Sequence, residues 1–282
     1  MILKSELIKH SKNTGLSLHI IEKDYVLAWL LAGIFNHPAL QDKWVFKGGT
    51  CLKKCYFETY RLSEDLDFTL LDTAQIDVEY LTTVFRDIAD WIYDKSAISI
   101  PHEYIEFEIY KNKFGKMSCE GKISYAGPLT PTTAIRQWPR IKLDLTAYEK
   151  LVMQPAHRGI LHLYSDKPKV KVQVLAYSYQ EIFAEKIRAL GERTRPRDLY
   201  DVITLFRQAD EFSGDQRVIL DILKKKCAFK NIQPIILDSL EKHHIACESS
   251  WVEQLAHQVI VLPSFASFWD ELPTFFTWLY ST

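Results

Sequence analysis

The feature that most constrains this 282-residue chain is a change of hydrophobic period near residue 177. Before it, short runs of period two alternate with helical stretches; after it, only the helical period recurs. Leu66, Phe68 and Leu70 alternate with Asp65, Asp67 and Thr69, and Ile141, Leu143 and Leu145 alternate with Lys142, Asp144 and Thr146. Both runs read as half-buried strands. Trp44-Val45-Phe46 and Val170 to Val174 are further strand candidates, residues 103–126 read as a hairpin turning near Asn112 to Gly115, and 18–35 and 74–94 read as helices. Beyond the change, 179–190, 196–208, 215–226, 232–244, 251–259 and 265–280 show helical spacing. The expected architecture is α+β, with a mixed β-sheet domain over residues 1–176 and an α-helical C-terminal domain over 177–282.

Composition narrows the class. With 47% hydrophobic residues, 10 Gly and 11 Pro, the chain is that of an ordinary globular protein. Its longest apolar run, Val26 to Phe35, is half of the roughly 20 residues a membrane helix needs, so no span is expected. Charges through Met1 to His10 leave no secretory signal, which predicts a cytoplasmic protein. Five scattered cysteines suit reduced thiols better than a disulfide framework. Net charge is −1, but residues 231–282 carry −5 and residues 1–230 carry +4, so a polyanion should meet the earlier part. Neither a Walker A pattern nor a Gly-x-Ser-x-Gly elbow occurs, which removes support for P-loop NTPases and serine hydrolases.

The chemistry concentrates in a few places. Gly48-Gly49, the only adjacent glycine pair, stands where a strand gives way to a helix. It reads either as a tight turn or as a phosphate cradle, because glycine lets a phosphate approach unpaired helix N–H groups. Asp65 and Asp67 share one strand face, and a pair of carboxylates there suits a hard cation such as Mg2+, unless that face is merely solvated. Asp144 repeats the arrangement on a second strand, so three carboxylates converge if the strands adjoin. Lys186 and Asp198 lie in the helical part, where a surface lysine and a helix-start aspartate are the simpler readings.

Taken together, these segments resemble a known family. Phe46-Lys47-Gly48-Gly49-Thr50-Cys51-Leu52, followed by Tyr60-Arg61-Leu62-Ser63-Glu64-Asp65-Leu66-Asp67-Phe68, is similar to the AbiEii/AbiGii abortive-infection toxins of the polymerase-β-like nucleotidyltransferase superfamily. The likeness continues through Lys-Leu-Asp-Leu-Thr at 142–146, Glu-Lys-Ile-Arg-Ala-Leu at 185–190 and Arg-Pro-Arg-Asp-Leu-Tyr-Asp at 195–201. Fifteen residues separate Gly49 from Asp65, more than is usual across the superfamily and familiar in this branch. The last seventy or so residues carry no recognisable motif.

The resemblance implies a polymerase-β-like domain that transfers a nucleoside monophosphate from an NTP to an acceptor. Gly48, Gly49 and Thr50, with Lys47, would cradle the triphosphate, and Asp65 and Asp67 would hold Mg2+, with Mn2+ as a substitute. Asp144 would complete a second metal site and help deprotonate the attacking hydroxyl. Lys186 would contact the departing pyrophosphate. Asp198 would be the essential fourth-motif aspartate, orienting Lys186 or the nucleotide, and Arg61 and Ser63 would touch phosphate or brace the loop.

Several relatives extend the 3′ end of tRNA and so block translation, and a toxin implies a cognate antitoxin. Basic clusters at Arg136, Arg140 and Lys142, at Lys167, Lys169 and Lys171, and at Arg188, Arg193, Arg195 and Arg197 would follow an RNA backbone if they share a face with the carboxylates.

The alternatives are transfer to a protein hydroxyl, a non-catalytic nucleotide-binding regulator, and a zinc module at His243, His244 and Cys247, which lacks a second ligand pair. The aromatic stretch from Trp251 to Tyr280 reads as core or as an antitoxin-docking surface.

Overall fold

The computed structural model describes every residue except 59, 131–137, 213 and 282, so Arg136 lies outside the described residues. The chain divides into two compact units, residues 1–149 with 155–176, and residues 150–154 with 177–282.

The first unit runs α1 (Lys4–Thr14), α2 (Leu18–Asn36), β1 (Trp44–Lys47), α3 (Gly48–Cys51) continued by a π-helical turn (Leu52–Tyr56), β2 (Asp65–Leu70) and α4 (Val78–Ser96). It continues with β3 (Ile105–Lys111), β4 (Met117–Ser124), β5 (Arg140–Thr146), β6 (Ala156–Gly159) and β7 (Gln173–Ala176). The seven strands form one mixed sheet in the order β3-β4-β5-β2-β1-β7-β6, with β2–β5 and β1–β7 parallel and the other pairs antiparallel.

Ser17 starts α2 by accepting the N–H of Ile20, and the helix is buried from Tyr25 to Phe35, where its sequence is apolar on all sides. Asp77 caps α4 by accepting the N–H of Tyr80, and Leu81, Val84, Phe85, Ile88 and Ile92 form its buried stripe. Both helices cover one sheet face: the Phe35 ring meets Phe68, and Phe85 meets Trp44 and Phe107. Since Leu66, Phe68, Leu143 and Leu145 are buried with that layer, strand alternation sends Asp65, Asp67, Lys142 and Asp144 to the opposite face. The strand candidate at 170–174 begins only at Gln173, and its partner β6, Ala-His-Arg-Gly, carries no alternation by which the sequence could announce it.

The second unit contains α5 (Tyr179–Arg193), α6 (Pro196–Arg207), α7 (Gln216–Lys230), α8 (His244–Ser249), α9 (Trp251–Leu255), α10 (Ala266–Trp269) and α11 (Leu272–Leu279). The helix expected over 232–244 does not form. Asn231, left-handed at φ 55°, closes α7, Pro234 lacks an N–H to donate, and only 3-10 turns at Leu237–Ser239 and Glu241–His243 follow. The helix expected over 265–280 breaks before Pro273 for the same reason.

The aromatic stretch is core: Phe183 stacks on Phe275 and Trp278, and Tyr200 stacks on Phe268 beside Trp251. Most of its rings are buried, while Val252, Ile260, Val261 and Tyr280 stay exposed. Residues 150–154 join this unit because Glu181 accepts the N–H groups of Val152 and Met153, and Lys226 donates to the Lys150 carbonyl.

Candidate active site

The site is built by strand register. Lys47 on β1 pairs with Asp67 on β2, Asp67 with Asp144 on β5, and Asp144 with Glu120 on β4. Paired residues project to the same side, so these four make one lateral row across the sheet, a cation at one end and three carboxylates beside it. Lys47, Asp67 and Asp144 line a polar cavity of about 280 Å3 together with Tyr110, Ser118, Thr146 and Glu149. Lys47 Nζ lies 3.9 Å from Glu149 Oε1.

Asp65 sits one step along the strand, opposite Lys142 rather than opposite a third acid. Lys142 Nζ reaches across the row, 2.7 Å from Glu120 Oε2 and 3.6 Å from Asp144 Oδ1. The strands do adjoin, but the three-way convergence is not closed. Among the described residues no group of three His, Cys, Asp or Glu side chains stands at metal-binding distance. Burial raises the Asp65 pKa above the usual carboxylate range; Lys23 opposes that and the Asp144 charge adds to it. Two adjacent oxygen donors, Asp67 and Asp144, with a neighbouring acid under like-charge pressure, fit a hard divalent cation that takes one or two protein carboxylates and fills its shell elsewhere.

Gly48 is what allows the row to touch the backbone. Its φ of +80° lies in the left-handed region, and a Cβ there would fall 2.1 Å from Asp67 Oδ2. The carboxylate therefore rests against the turn where α3 begins, whose first N–H groups have no partner within the helix. Arg61 and Ser63 close over Gly49, where a Cβ would meet Arg61 Nη2 at 3.0 Å and Ser63 Oγ at 3.1 Å. Thr50 is buried and donates its hydroxyl to the Asp65 carbonyl at 2.5 Å, so its side chain holds the strand and is not presented to a ligand.

Beneath this turn lies an ion pair that sequence reading missed. Lys54, in the π-helical turn, places Nζ 2.8 Å from Asp24 Oδ1 on α2, with both side chains buried. Burial pushes the Asp24 pKa up, but the charge and hydrogen bond of Lys54, with the Lys53 charge and the Tyr164 hydrogen bond, together outweigh it and hold the carboxyl below its usual value. Tyr164 donates to the second Asp24 oxygen at 3.0 Å. Lys54 looked like any lysine of a helical stretch, and no pattern pointed to its partner thirty residues earlier.

In the second unit Lys186 places Nζ 2.8 Å from Asp201 Oδ2. Asp201, not Asp198, is thus the carboxylate that orients this lysine. Asp198 is held instead by Arg193, whose Nε and Nη2 donate to its two oxygens at 2.7 and 2.8 Å. The only available signal for Asp201 was its i+3 position from Asp198 on an amphipathic helix, which also describes a dipole-complementing surface residue.

Two basic clusters change meaning. Lys142 is committed to Glu120 and Asp144, and Lys167, Lys169 and Lys171 line a different cavity from that of the row. The zinc alternative is likewise not supported: the His244 ring packs edge-on against Phe265 and Trp269, and Cys247 is buried.

A model of the nucleotidyl transferase AbiEii toxin family, of type IV toxin–antitoxin systems, matches residues 29–278. The chain belongs to this family. It is a nucleotidyltransferase toxin, and the family implies an NTP substrate, a divalent metal and an antitoxin partner. No curated protein sequence matches the chain. Among solved structures it is similar to MenT4, a nucleotidyltransferase toxin from Mycobacterium tuberculosis H37Rv, at 14% identity with a TM-score of 0.64, over 100% of this chain and 91% of that one. At that identity the likeness bears on the fold, and it agrees with a mixed sheet followed by a helical region. No helix among the described residues is long and apolar enough to cross a membrane.

Proposed function

We propose that this toxin acts in the cytoplasm, transferring a nucleoside monophosphate from an NTP to the 3′ end of tRNA with Mg2+ and thereby blocking translation. The nucleotidyltransferase domain is residues 1–176 and the helical domain 177–282. The observation that carries the reading is the Lys47–Asp67–Asp144 row set against the Gly48 turn.

The carboxylates of Asp67 and Asp144, with Asp65 beside them, would hold the metal, which supplies charge neutralisation to the triphosphate when bound. Gly48 and Gly49 let phosphate oxygens approach the α3 backbone N–H groups, while Arg61 and Ser63 brace that turn. Lys47 faces the same cavity as a counter-charge to phosphate. Asp144 accepts the proton of the attacking hydroxyl, the bond to the α-phosphate forms, and pyrophosphate leaves. Lys186, oriented by Asp201, neutralises the leaving group, and Asp198 fixes the start of α6.

Purified protein with Mg2+, tRNA and each α-labelled NTP in turn tests the acceptor. Label on intact tRNA that disappears when the 3′ diol is first oxidised by periodate supports the proposal. Label on protein instead would replace it with protein nucleotidylylation, and no label with any NTP would leave a non-catalytic regulator.

A further inference from the structure

A second cavity in the first unit, of about 970 Å3, opens between the carboxyl-terminal ends of α2 and α4 and the loop joining β6 to β7. It shares no lining residue with the carboxylate row. Its floor holds the indoles of Trp29 and Trp91, whose centroids lie 6.1 Å apart, and Trp91 is part-exposed. Four lysines line it: Lys95 from α4, and Lys167, Lys169 and Lys171 from the loop. All four are exposed, and among the described residues none has an ion-pair partner.

The two carboxylates in the cavity offset only part of this charge, and one of them, Asp166, lies 3.7 Å from the N-terminal ammonium. Asp166 already accepts from the Tyr25 hydroxyl at 2.6 Å and from Trp29 Nε1 at 3.4 Å, and Asp42 stands exposed. An occupant must therefore offer flat apolar rings to the indole floor and several anions to the rim. A nucleoside monophosphate would leave most of the lysines unmatched, an acidic peptide would leave the indoles unmatched, and a duplex keeps its bases stacked inside. A single strand satisfies both demands, because unpaired bases stack on aromatic side chains while successive phosphates meet basic ones.

We propose that this cavity seats a single-stranded RNA segment, with a base against Trp91 and phosphates on Lys169 and Lys171. It serves the transfer reaction as a holding site for acceptor RNA, and in that respect rests on the acceptor reading above.

The test is fluorescence anisotropy of the full chain with a labelled, unstructured RNA of about 12 nucleotides, without NTP or divalent metal. Lys169→Ala/Lys171→Ala should raise Kd at least about tenfold and flatten the log Kd against log salt slope by about 1.4, some 0.7 for each lost phosphate contact. Trp91→Ala should raise Kd about tenfold with little change in that slope. The lysines are exposed, so the double variant keeps its fold, which circular dichroism verifies. Parent-like binding by the lysine variant overturns the proposal, as does tighter binding of a labelled hexaglutamate peptide that the same variant loses. Because binding is read without turnover, label found on protein in the transfer assay would end the acceptor reading while leaving this result standing.

Discussion

Lys186 Nζ lies 2.8 Å from the carboxylate of Asp201, which is wholly buried in α6. A buried charge-assisted hydrogen bond is worth about 1.5–3 kcal/mol, so its loss changes a rate by roughly one to two orders of magnitude. Asp201→Asn keeps the shape and removes the charge. It should lower kcat for nucleotide transfer about 10- to 100-fold with less change in NTP KM, and combining it with Lys186→Met should cost little more than Lys186→Met alone. Steady-state kinetics on variants with verified melting curves check this; additive losses would separate the two residues.

The Gly48 turn makes a sharper demand. A methyl group at residue 48 would collide with the Asp67 carboxylate and would sit on a backbone at φ +80°. Gly48→Ala should reduce transfer by at least about 100-fold, the usual consequence of an ångström-scale displacement of a reacting group. Near-parental far-ultraviolet circular dichroism should accompany the loss. Gly15, also at positive φ but with open space around it, is the control: Gly15→Ala should leave activity intact.

The buried Lys54–Asp24 pair ties the π-helical turn behind the glycines to α2. Removing one partner strands the other charge, which costs about 3–5 kcal/mol, whereas replacing both with apolar residues is far milder. Lys54→Met should therefore lower the denaturant midpoint markedly, and Lys54→Met/Asp24→Leu should recover much of it. Equilibrium urea unfolding followed by tryptophan fluorescence measures both.

Much of this architecture is readable from the residues, and the parts that are not share a cause. Asp65, Asp67 and Asp144 announce themselves because aspartate recurs at period two between buried leucines, a local pattern. That Asp67 rather than Asp65 stands beside Asp144 depends on the parallel register of β2 and β5, strands far apart in the chain, and no local pattern encodes it. The same holds for Lys54 with Asp24 and for Lys186 with Asp201, where partner choice is a tertiary fact. The helix expected over 232–244 is different: the apolar spacing of Ile232, Ile235 and Ile236 suggests it, but Asn231 and Pro234 are local stop signals that prevail. Lys167, Lys169 and Lys171 were legible as a basic cluster, but only the fold assigns them to the Trp91 cavity.

His162 supplies a pH dependence. Its ring lies against Tyr25, Trp29 and Tyr164 with both nitrogens buried and, among the described residues, without a hydrogen-bond partner. Burial lowers its pKa to about 4, with the Lys54 charge adding to the effect. The folded state thus favours neutral imidazole while the unfolded chain takes up a proton below about 6.5. Stability is full above that value and falls as pH drops from about 6.5 towards 4, by up to about 1.4 kcal/mol per unit from this group. Unfolding midpoints at pH 7 and pH 5 should differ in the parent, and the difference should shrink in His162→Phe.

Nucleotidyl transfer should depend on the Lys47–Asp67–Asp144 row. The direct measurement follows α-labelled and γ-labelled NTP in parallel with pyrophosphate release, for the parent and for folded Asp67→Asn, in the presence of Mg2+ and RNA. The row predicts that α-label enters the acceptor, γ-label does not, one pyrophosphate appears for each nucleotide transferred, and Asp67→Asn abolishes both α-label transfer and pyrophosphate release. Incorporation of γ-label, or undiminished α-label transfer by Asp67→Asn, would contradict it.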